Sequence, residues 1–529
     1  MDTATHAVSL PAAFWNQHMT NWVEVAMCGR PSDFLHETII SVTTTKAKLT
    51  GALRQAGFRD ADAWVDNVAD FPRVRGDRAL ILLEVELEGK KEVFPLDELL
   101  AYQHWGVTIG PFGWMFKGDP ERPAGAKAAA PADAEKGSAR QQVLADDPQI
   151  ALQFKGIQHL SQSFMDHPLC YDAWVYPTVR YQRNYAVTPK TLAVPKTKTG
   201  DKEDAADVSL GKFWVKVFDS NGEIPVTLSF RKVSEEDFLT TMAGVWHNAA
   251  YAEHIKKQLP IARQIDADKA QLAPLVPEMR KLADSGKPRE DILQSETFAK
   301  IALLTAQIER GYAALDAAWV EWSADHPVFE AADDTTLDSL KEQSQLWREH
   351  MVDTRERAAQ LCLAEEARFK IRAIDTPEKK AAAADELRKL TGQELLARSR
   401  ATLLEIKHVL RYWKHEKSRL TADDTRTDWI RAIDVQVELA NAKESLGKAG
   451  VELGGLLIDG RDATAAREVY QKAVARVTLG ELRATLADIE FEISKRESIE
   501  GDPDLGAFIK RRDSLKAQIK ALEDAMKPK

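Results

Sequence analysis

The sequence has 529 residues, of which 44% are hydrophobic and 29% are charged, and its formal net charge is −10. This composition is typical of a globular protein and excludes a mainly disordered chain, a collagen-like chain and a disulfide-stapled mini-protein. The length suggests about three domains and permits a sizeable core without metals or disulfides. The negative charge argues against broad, non-specific coating of DNA.

The cysteine content indicates a reducing compartment. Cys28, Cys170 and Cys362 lie far apart and are odd in number, so they form neither a disulfide framework nor a paired metal knuckle. We therefore expect a cytoplasmic location. The N-terminus lacks the basic and apolar regions of a signal peptide, and no run approaches the roughly 18 apolar residues of a membrane span. We expect no membrane partner, and the sequence leaves cofactors unknown.

Proline usage divides the chain into two unlike parts. Fourteen of the 22 prolines lie in residues 1–230, whereas residues 289–502 contain Pro327 and Pro377 alone. Because proline in a helix interior costs about 3 kcal/mol, this depletion favours long helices. The sequence predicts an α+β fold class, with an N-terminal α+β part that contains short antiparallel hairpins and a C-terminal all-α bundle.

The first predicted unit covers residues 1–117 and contains a hairpin near 79–95. Residues 79–87 are apolar at first and then alternate with Glu84 and Glu86, which is typical of a strand. A short polar stretch follows, in which Gly89 can adopt the positive φ that a tight turn requires. Residues 118–148 are rich in alanine, proline, glycine and charge, and we predict a flexible linker there.

A second small α+β unit is predicted over residues 149–232. Its main feature is a hairpin at 213–230, in which alternating Phe213, Val215 and Val217 are followed by the turn signal Asn221-Gly222. Pro225 would place the return strand at a sheet edge or a bulge.

Residues 233–529 are predicted to form a helical bundle or coiled-coil region. A helix is expected to end at His326-Pro327, and the next is expected to run from Thr335 to Ile371. Near the C-terminus, two sets of apolar residues share the spacing four, three, four, which predicts an antiparallel, coiled-coil-like helical hairpin. The two sets are Leu482, Leu486, Ile489 and Ile493, and Leu515, Ile519, Leu522 and Met526.

An aromatic, glycine-rich segment at residues 104–114 is one candidate binding site. Its glycines allow close approach, and Trp105 and Trp114 would form the walls of a ligand shelf. The alternative is a hydrophobic loop that seals the first unit.

Residues 166–172 place a nucleophile, a base and carboxylates close together. Asp166, His167 and Cys170, with Asp172, are candidates for an enzymatic pocket next to residues 104–114. Triad partners usually converge from separate elements, and the spacing matches no zinc pattern, so no metal site is predicted. The alternative is a turn with a buried, inert cysteine.

Two further segments are candidates for nucleic-acid contact. Aromatic and basic residues interleave at Tyr171, Trp174, Arg180 and Arg183, where they would stack on single-stranded bases or form an amphipathic strand face. A basic patch of Lys407, Arg411 and Lys414 shares one helix face and would meet phosphates, an acidic partner or neighbouring carboxylates.

No P-loop, H-E-x-x-H, G-x-S-x-G or EF-hand motif occurs in the sequence. Together with the long helices, this favours a non-enzymatic, intracellular interaction, scaffold or assembly protein, and the composition suggests a bacterium or its phage or plasmid. A protein partner or self-association is expected. One alternative is a nucleic-acid-handling accessory that uses the aromatic and basic patches. The other is an enzyme with a pocket near residues 104–114 and 166–172.

Overall fold

The computed structural model describes most of the helical region and the core strands of the N-terminal region. The chain forms two compact units: unit 1 comprises Met1–Pro274 and Gln307–Met351, and unit 2 comprises Leu275–Ala306 and Val352–Lys529. The described residues are 7–15, 25–29, 38–44, 46–59, 77–102, 107–108, 114–116, 157–159, 175–177, 212–213, 216–217, 220, 223–247, 249–325, 334–374, 377–418, 427–497 and 504–527.

Unit 1 is built on an eight-stranded sheet in the order β2-β3-β1-β11-β4-β8-β9, with β5 also paired to β4. The β2–β3 pair is parallel, and the other pairs of this sheet are antiparallel. A second, three-stranded sheet has the order β10-β6-β7. The strands are β1 Ala7–Trp15, β2 Val25–Gly29, β3 Thr38–Val42, β4 Asp77–Leu87, β5 Lys90–Pro95, β6 Leu100–Tyr102, β7 Val107–Thr108, β8 Trp114–Phe116, β9 Ile157–His159, β10 Val175–Pro177 and β11 Glu223–Val233.

The hairpin predicted near residues 79–95 is confirmed by β4 and β5. These strands pair in register from Leu82 opposite Pro95 to Leu87 opposite Lys90. The two turn residues both have positive φ, 51° at Glu88 and 77° at Gly89, as the favoured two-residue hairpin turn requires. The first part of β4 is buried on both faces, because strands flank it and helices cover the sheet.

The hairpin predicted at 213–230 is wrong. Phe213 and Val217 have helical backbone and are fully buried, whereas Glu223–Val233 is the single strand β11. Residues four apart share a helix face as readily as they share a strand face, so the apolar spacing fitted both structures. Phe213 lies 5.1 Å from Phe14 and 4.9 Å from Phe94, measured between ring centroids.

The position of β11 also changes the predicted division of the N-terminal region. Instead of closing a second unit at 149–232, β11 lies between β1 and β4, which come from the first predicted unit. Pro225 pairs with Ala13 of β1, and the pairing with β4 starts at Thr227. Pro225 therefore lies where the described pairings give β11 one neighbour, as its missing N–H requires. The predicted linker at 118–148 lies outside the described residues.

Helices cover this sheet and continue through the rest of the chain. Buried Phe238, Leu239 and Met242 of α2 belong to the same core as the strands. The helix predicted to end before Pro327 ends at Asp325, and the next one begins at Asp334, so both predictions are confirmed. The helices are α1 Lys46–Gln55, α2 Glu235–Val245, α3 Ala249–Lys257, α4 Leu259–Leu272, α5 Leu275–Asp284, α6 Arg289–Leu293, α7 Glu296–Asp325, α8 Asp334–Ala373, α9 Pro377–Ala382, α10 Ala384–Ser418, α11 Thr427–Asp459, α12 Thr464–Glu497 and α13 Leu505–Met526.

Unit 2 is an antiparallel meander in which long helices pack against the next long helix along the chain. The ion pairs between α8 and α10 show that these helices are antiparallel. Asp353 of α8 pairs with Lys407 of α10, whereas Glu365, later in α8, pairs with Arg398, which is earlier in α10. Small residues bring α10 and α11 close together. A Cβ added at Gly454 would lie 2.9 Å from the carbonyl oxygen of Gly392, so neither position has room for a side chain.

The predicted C-terminal helical hairpin is confirmed by α12 and α13. Ile489, Ile493 and Leu515 form its buried core. The salt bridges reverse order along the two helices, since Arg483 pairs with Glu523 at 2.9 Å and Lys516 pairs with Glu490 at 3.0 Å. The four-three-four spacing places the apolar residues on one face of each helix, and that face is buried between them.

Candidate functional site

A buried cluster of charged and phenolic groups occupies the core of unit 1. Glu235, the first residue of α2, is 1% exposed and accepts hydrogen bonds from three side chains. Arg78 of β4 donates its Nε at 2.8 Å and also its Nη2. Lys269 of α4 donates at 2.9 Å, and Tyr312 of α7 donates at 2.5 Å. The cluster therefore joins the sheet to three separate helices.

The charges of this cluster keep Glu235 ionised. Burial by itself would raise the pKa of Glu235, but the adjacent Arg78 and Lys269 and the hydrogen bond from Tyr312 lower that pKa to about 2. Burial and the neighbouring Glu235 carboxylate raise the pKa of Tyr312 well above its usual value. The guanidinium of Arg78 also lies 4.3 Å from the ring centroid of Phe238. Near neutral pH the Glu235 carboxyl group is therefore ionised and the Tyr312 phenol is neutral.

The local sequence explains how α2 begins at this cluster. Ser234 is the N-cap, and its Oγ accepts a hydrogen bond of 3.0 Å from the backbone N–H of Asp237. The carboxylate of Asp266 accepts from the backbone N–H groups of Glu235 and Glu236, at 2.8 and 2.9 Å. These contacts satisfy donors that the first turn of a helix leaves unpaired. They also hold the backbone of Glu235 in place at the start of α2.

A second buried carboxylate holds a histidine next to the three-stranded sheet. Glu98 lies in the 3-10 turn Leu96–Leu99 that directly precedes β6, and it is 2% exposed. Its two oxygens contact the backbone N–H of His247 at 2.9 Å and the Nδ1 of His247 at 2.7 Å. The imidazole stacks on Phe94, with ring centroids 4.4 Å apart. Glu98 therefore fixes the orientation of the His247 ring.

The structure describes few of the unit 1 side chains that the sequence predicts as binding or catalytic candidates. Trp114 begins β8, where it pairs with His159 of β9, and its side chain is outside the described set. The remaining predicted residues of this region lie outside the described residues: Trp105, Asp166, His167, Cys170, Tyr171, Trp174, Arg180 and Arg183.

Strand pairing nevertheless brings together the chain segments that flank these residues. In the three-stranded sheet, β6 pairs on one side with β7 and on the other with β10. β7 lies within the predicted segment 104–114, and β10 follows the predicted segment 166–172 closely along the chain. The fold thus places a strand within the first predicted segment and a strand that follows the second on either side of β6.

The predicted basic patch lies on α10 in unit 2. The Nζ of Lys407 donates to the Oδ2 of Asp353 at 2.6 Å, and the buried His408 contacts the same oxygen at 2.6 Å. Arg411 is half-buried, and Lys414 is exposed. An adjacent carboxylate therefore partly neutralises the patch, as expected when a basic helix face pairs with its neighbours.

Sequence reasoning missed the Glu235 cluster and the Glu98–His247 pair. The first turn of α2 contains three consecutive acidic residues, a pattern typical of a helix start. The contacts of Glu235 with Arg78, Lys269 and Tyr312, however, join residues that are distant in sequence. Chemically, both arrangements hold a carboxylate in a fixed, fully hydrogen-bonded state, which suits a structural joint between elements. Among the described residues, no group of three or more acidic, histidine or cysteine side chains is arranged to hold a metal ion.

No protein-family profile, curated protein or solved structure matches this chain. None of the helices in the described part of the chain has both the length and the hydropathy needed to span a bilayer.

Proposed function

We propose that this protein is a non-enzymatic, cytoplasmic interaction or assembly protein. The observation that carries the proposal is the distribution of exposed apolar side chains. In the described residues, all six exposed large apolar side chains lie on α8 and α12. Three lie on each of these two long helices, and their burial against a partner would remove apolar area from water. The six are Leu346, Val352, Leu363, Val469, Val474 and Phe491.

The state of the buried polar groups supports the same proposal. Glu235 is engaged by three donors, Glu98 by His247, and Asp353 by both His408 and Lys407. These groups stabilise contacts between elements of the fold. The long, charged helices of unit 2, by contrast, present their surfaces to solvent, as interaction modules do. The three widely separated cysteines support the cytoplasmic location.

Native mass measurements test this proposal. The full chain, purified at physiological salt from the cells that express it, is expected to elute as a stoichiometric complex or oligomer above its 59.0 kDa monomer mass. Light scattering coupled to size exclusion reports that mass directly. A lone monomer at every concentration, with no stoichiometric companion after gentle purification, would overturn the proposal.

A specific observation also favours a second candidate, an enzyme with a pocket near residues 104–114 and 166–172. The pairing of β6 with both β7 and β10 brings strands from these regions together, next to the Glu98–His247 pair. If Cys170 is an activated nucleophile, it should be alkylated faster than an ordinary exposed thiol at neutral pH. Mass spectrometry of iodoacetamide-treated protein measures this rate, with the buried Cys362 as the slow internal reference. Alkylation of Cys170 at an ordinary or slower rate would remove this candidate.

A further inference from the structure

The second half of α8 and the middle of α10 border a groove on the surface of unit 2 that is open to solvent. Its volume is 280 Å³. Its apolar lining residues are Leu363 and Ala367 of α8 and Leu396 and Ala397 of α10. Leu363 is 49% exposed, whereas Ala367 and Ala397 in the same groove are buried. The groove is therefore one place where the helix pair leaves apolar surface uncovered.

Two cations stand at opposite ends of this groove. Lys370 extends from the last turns of α8, and Arg400 extends from α10. Because Arg398 pairs with Glu365 and Arg357 pairs with Glu405, the antiparallel register places Arg400 near residues 360–363, far from Lys370. Both side chains are exposed, and neither forms an ion pair with any residue that the structure describes.

The charge of the groove contrasts with that of its surroundings. Arg398, two residues before Arg400, contacts both Glu365 and Glu394, so carboxylates are available on these helices. The groove itself contains one carboxylate, Glu366, which lies between the two cations along α8 and accepts a weak hydrogen bond from Cys362. An occupant with carboxylates toward its two ends would pair with both cations and would keep its own acids away from Glu366.

The length of the groove defines the secondary structure of that occupant. From Gln360 to Lys370 the groove follows α8 for a rise of about 15 Å, or close to three helical turns. An amphipathic helix placed along two antiparallel helices buries its apolar stripe by contacts at positions i, i+3 or i+4, and i+7. A partner helix of three turns is long enough to place one such set of apolar residues against Leu363 and Leu396.

We propose that this groove binds an acidic amphipathic helix of a partner protein, whose apolar stripe covers Leu363 and Leu396 and whose terminal carboxylates pair with Lys370 and Arg400. This inference rests on the proposed interaction function and identifies its surface and the class of its partner. The partner helix would complete a three-helix contact with α8 and α10, in which buried apolar area supplies affinity and the two charge pairs set orientation.

Binding of designed peptides to the full chain tests this proposal. The probes are two labelled helical peptides of about fifteen residues with the same leucine stripe, one with glutamates and one with lysines on the flanks. Fluorescence anisotropy is expected to show that the acidic peptide binds at least about tenfold more tightly than the basic one. Equal binding of the two peptides, or binding of neither, would overturn the proposal.

Variants then assign the binding to the groove. Leu363→Gln is expected to abolish binding of the acidic peptide, and the double variant Lys370→Glu/Arg400→Glu is expected to reverse the preference between the peptides. Val469→Gln is the matched control, because Val469 is 53% exposed on α12 and lies outside the groove. These residues are on the surface, so circular dichroism should show unchanged helix content. Binding that is indifferent to Leu363→Gln contradicts the assignment.

Two other outcomes have separate meanings. If the chain dimerises and Leu363→Gln abolishes the dimer, a second copy occupies the groove and the proposal of a partner helix is wrong. If neither peptide binds but the native complex described above persists in the Leu363→Gln variant, this surface is wrong and the proposed function stands.

Discussion

The hydroxyl of Tyr312 donates a hydrogen bond of 2.5 Å to the Oε1 of Glu235, across 77 residues of sequence. The same hydroxyl accepts a hydrogen bond of 2.6 Å from the Nζ of Lys269. Phenol, ammonium and carboxylate thus form a closed triangle, and Arg78 contacts the carboxylate from the sheet. This network joins the sheet of unit 1 to three helices through residues that lie far apart in the sequence.

Neutralising the central carboxylate is expected to destabilise unit 1 strongly. Glu235→Gln leaves Arg78, whose side chain is 2% exposed, without its counter-charge, and such a loss costs about 3–5 kcal/mol. Urea unfolding followed by near-UV circular dichroism measures the effect at pH 7. Glu236→Gln is the control, since Glu236 is 37% exposed and its pair with Arg263 should contribute less than about 1 kcal/mol. Equal effects of the two substitutions would contradict the interpretation.

The same carboxylate predicts a pH dependence. Its pKa is about 2 in the folded protein and 4.5 in an ordinary glutamate, so the unfolded chain takes up the proton first as the pH falls. The stabilisation is fully present above pH 4.5, is lost progressively as the pH falls toward 2, and amounts to roughly 3 kcal/mol. The stability difference between wild type and Glu235→Gln should therefore narrow below pH 4.5. If the stability difference between wild type and Glu235→Gln stays constant from pH 7 to pH 3, the ionisation of Glu235 is not its cause.

The phenol and the carboxylate should behave as one unit. Tyr312→Phe removes a donor to Glu235 and an acceptor for Lys269, and it is expected to cost about 1–3 kcal/mol. In a double-mutant cycle with Glu235→Gln, the coupling energy is expected to be about 0.5–3 kcal/mol, because the residues share one network. Additive effects of the two substitutions would show that the hydrogen bond contributes nothing of its own.

Adjacent glycines on α11 offer a test of helix packing in unit 2. An alanine Cβ at position 454 would lie 2.9 Å from backbone atoms of α10, which cannot rotate away, so Gly454→Ala should cost about 1–3 kcal/mol. At Gly455 no heavy atom lies within 4 Å of the added Cβ, and Gly455→Ala should stabilise the helix by about 0.5–1 kcal/mol. Thermal unfolding of the two variants should therefore shift in opposite directions. Unfolding temperatures that shift in the same direction in both variants would contradict the close packing of α10 and α11 at Gly454.

His408 gives unit 2 a pH dependence of its own. Burial lowers the pKa of His408 below the usual 6.5, with further lowering by Lys407 and Arg411, although Asp353 opposes the shift. The unfolded chain therefore binds the proton first, so stability is fully present above pH 6.5 and falls as the pH decreases through the window just below it. His408→Gln retains a hydrogen-bonding side chain without this titration and should flatten that slope. His415→Gln, at an exposed position of the same helix, is the control for replacing a histidine, and an equal change of slope in both variants would contradict the role of His408.

Local patterns predicted much of the fold, because their causes are local. Pro327 marks the end of α7, the four-three-four spacing predicts the α12–α13 hairpin, and Gly89 marks the turn between β4 and β5. The failure at 213–230 also has a local cause, since Phe213 and Val217 fit a helix as well as a strand. Patterns within a short window cannot reveal which distant strand β11 pairs with.

The buried sites depend on contacts of that distant kind. Glu235, Arg78, Lys269 and Tyr312 come from four elements, and each looks like an ordinary surface residue in its own stretch of sequence. Their meeting follows from the packing of three helices on the sheet. The groove between α8 and α10 also depends on contacts between distant parts of the sequence, because the register of the two helices determines the exposure of Leu363. Tertiary packing thus determines where these side chains meet.

The insertion of β11 between β1 and β4 has a consequence for synthesis on the ribosome. Ala7 pairs with Arg231, so β1 is translated more than 200 residues before its partner. At about 5–20 residues per second this interval lasts on the order of 10–40 s, during which one edge each of β1 and β4 awaits β11. Uncovered strand edges are sites for wrong pairing with other chains. Until β11 emerges, nascent unit 1 therefore exposes strand edges to wrong pairing, whereas the helical meander of unit 2 can form sequentially as its residues emerge.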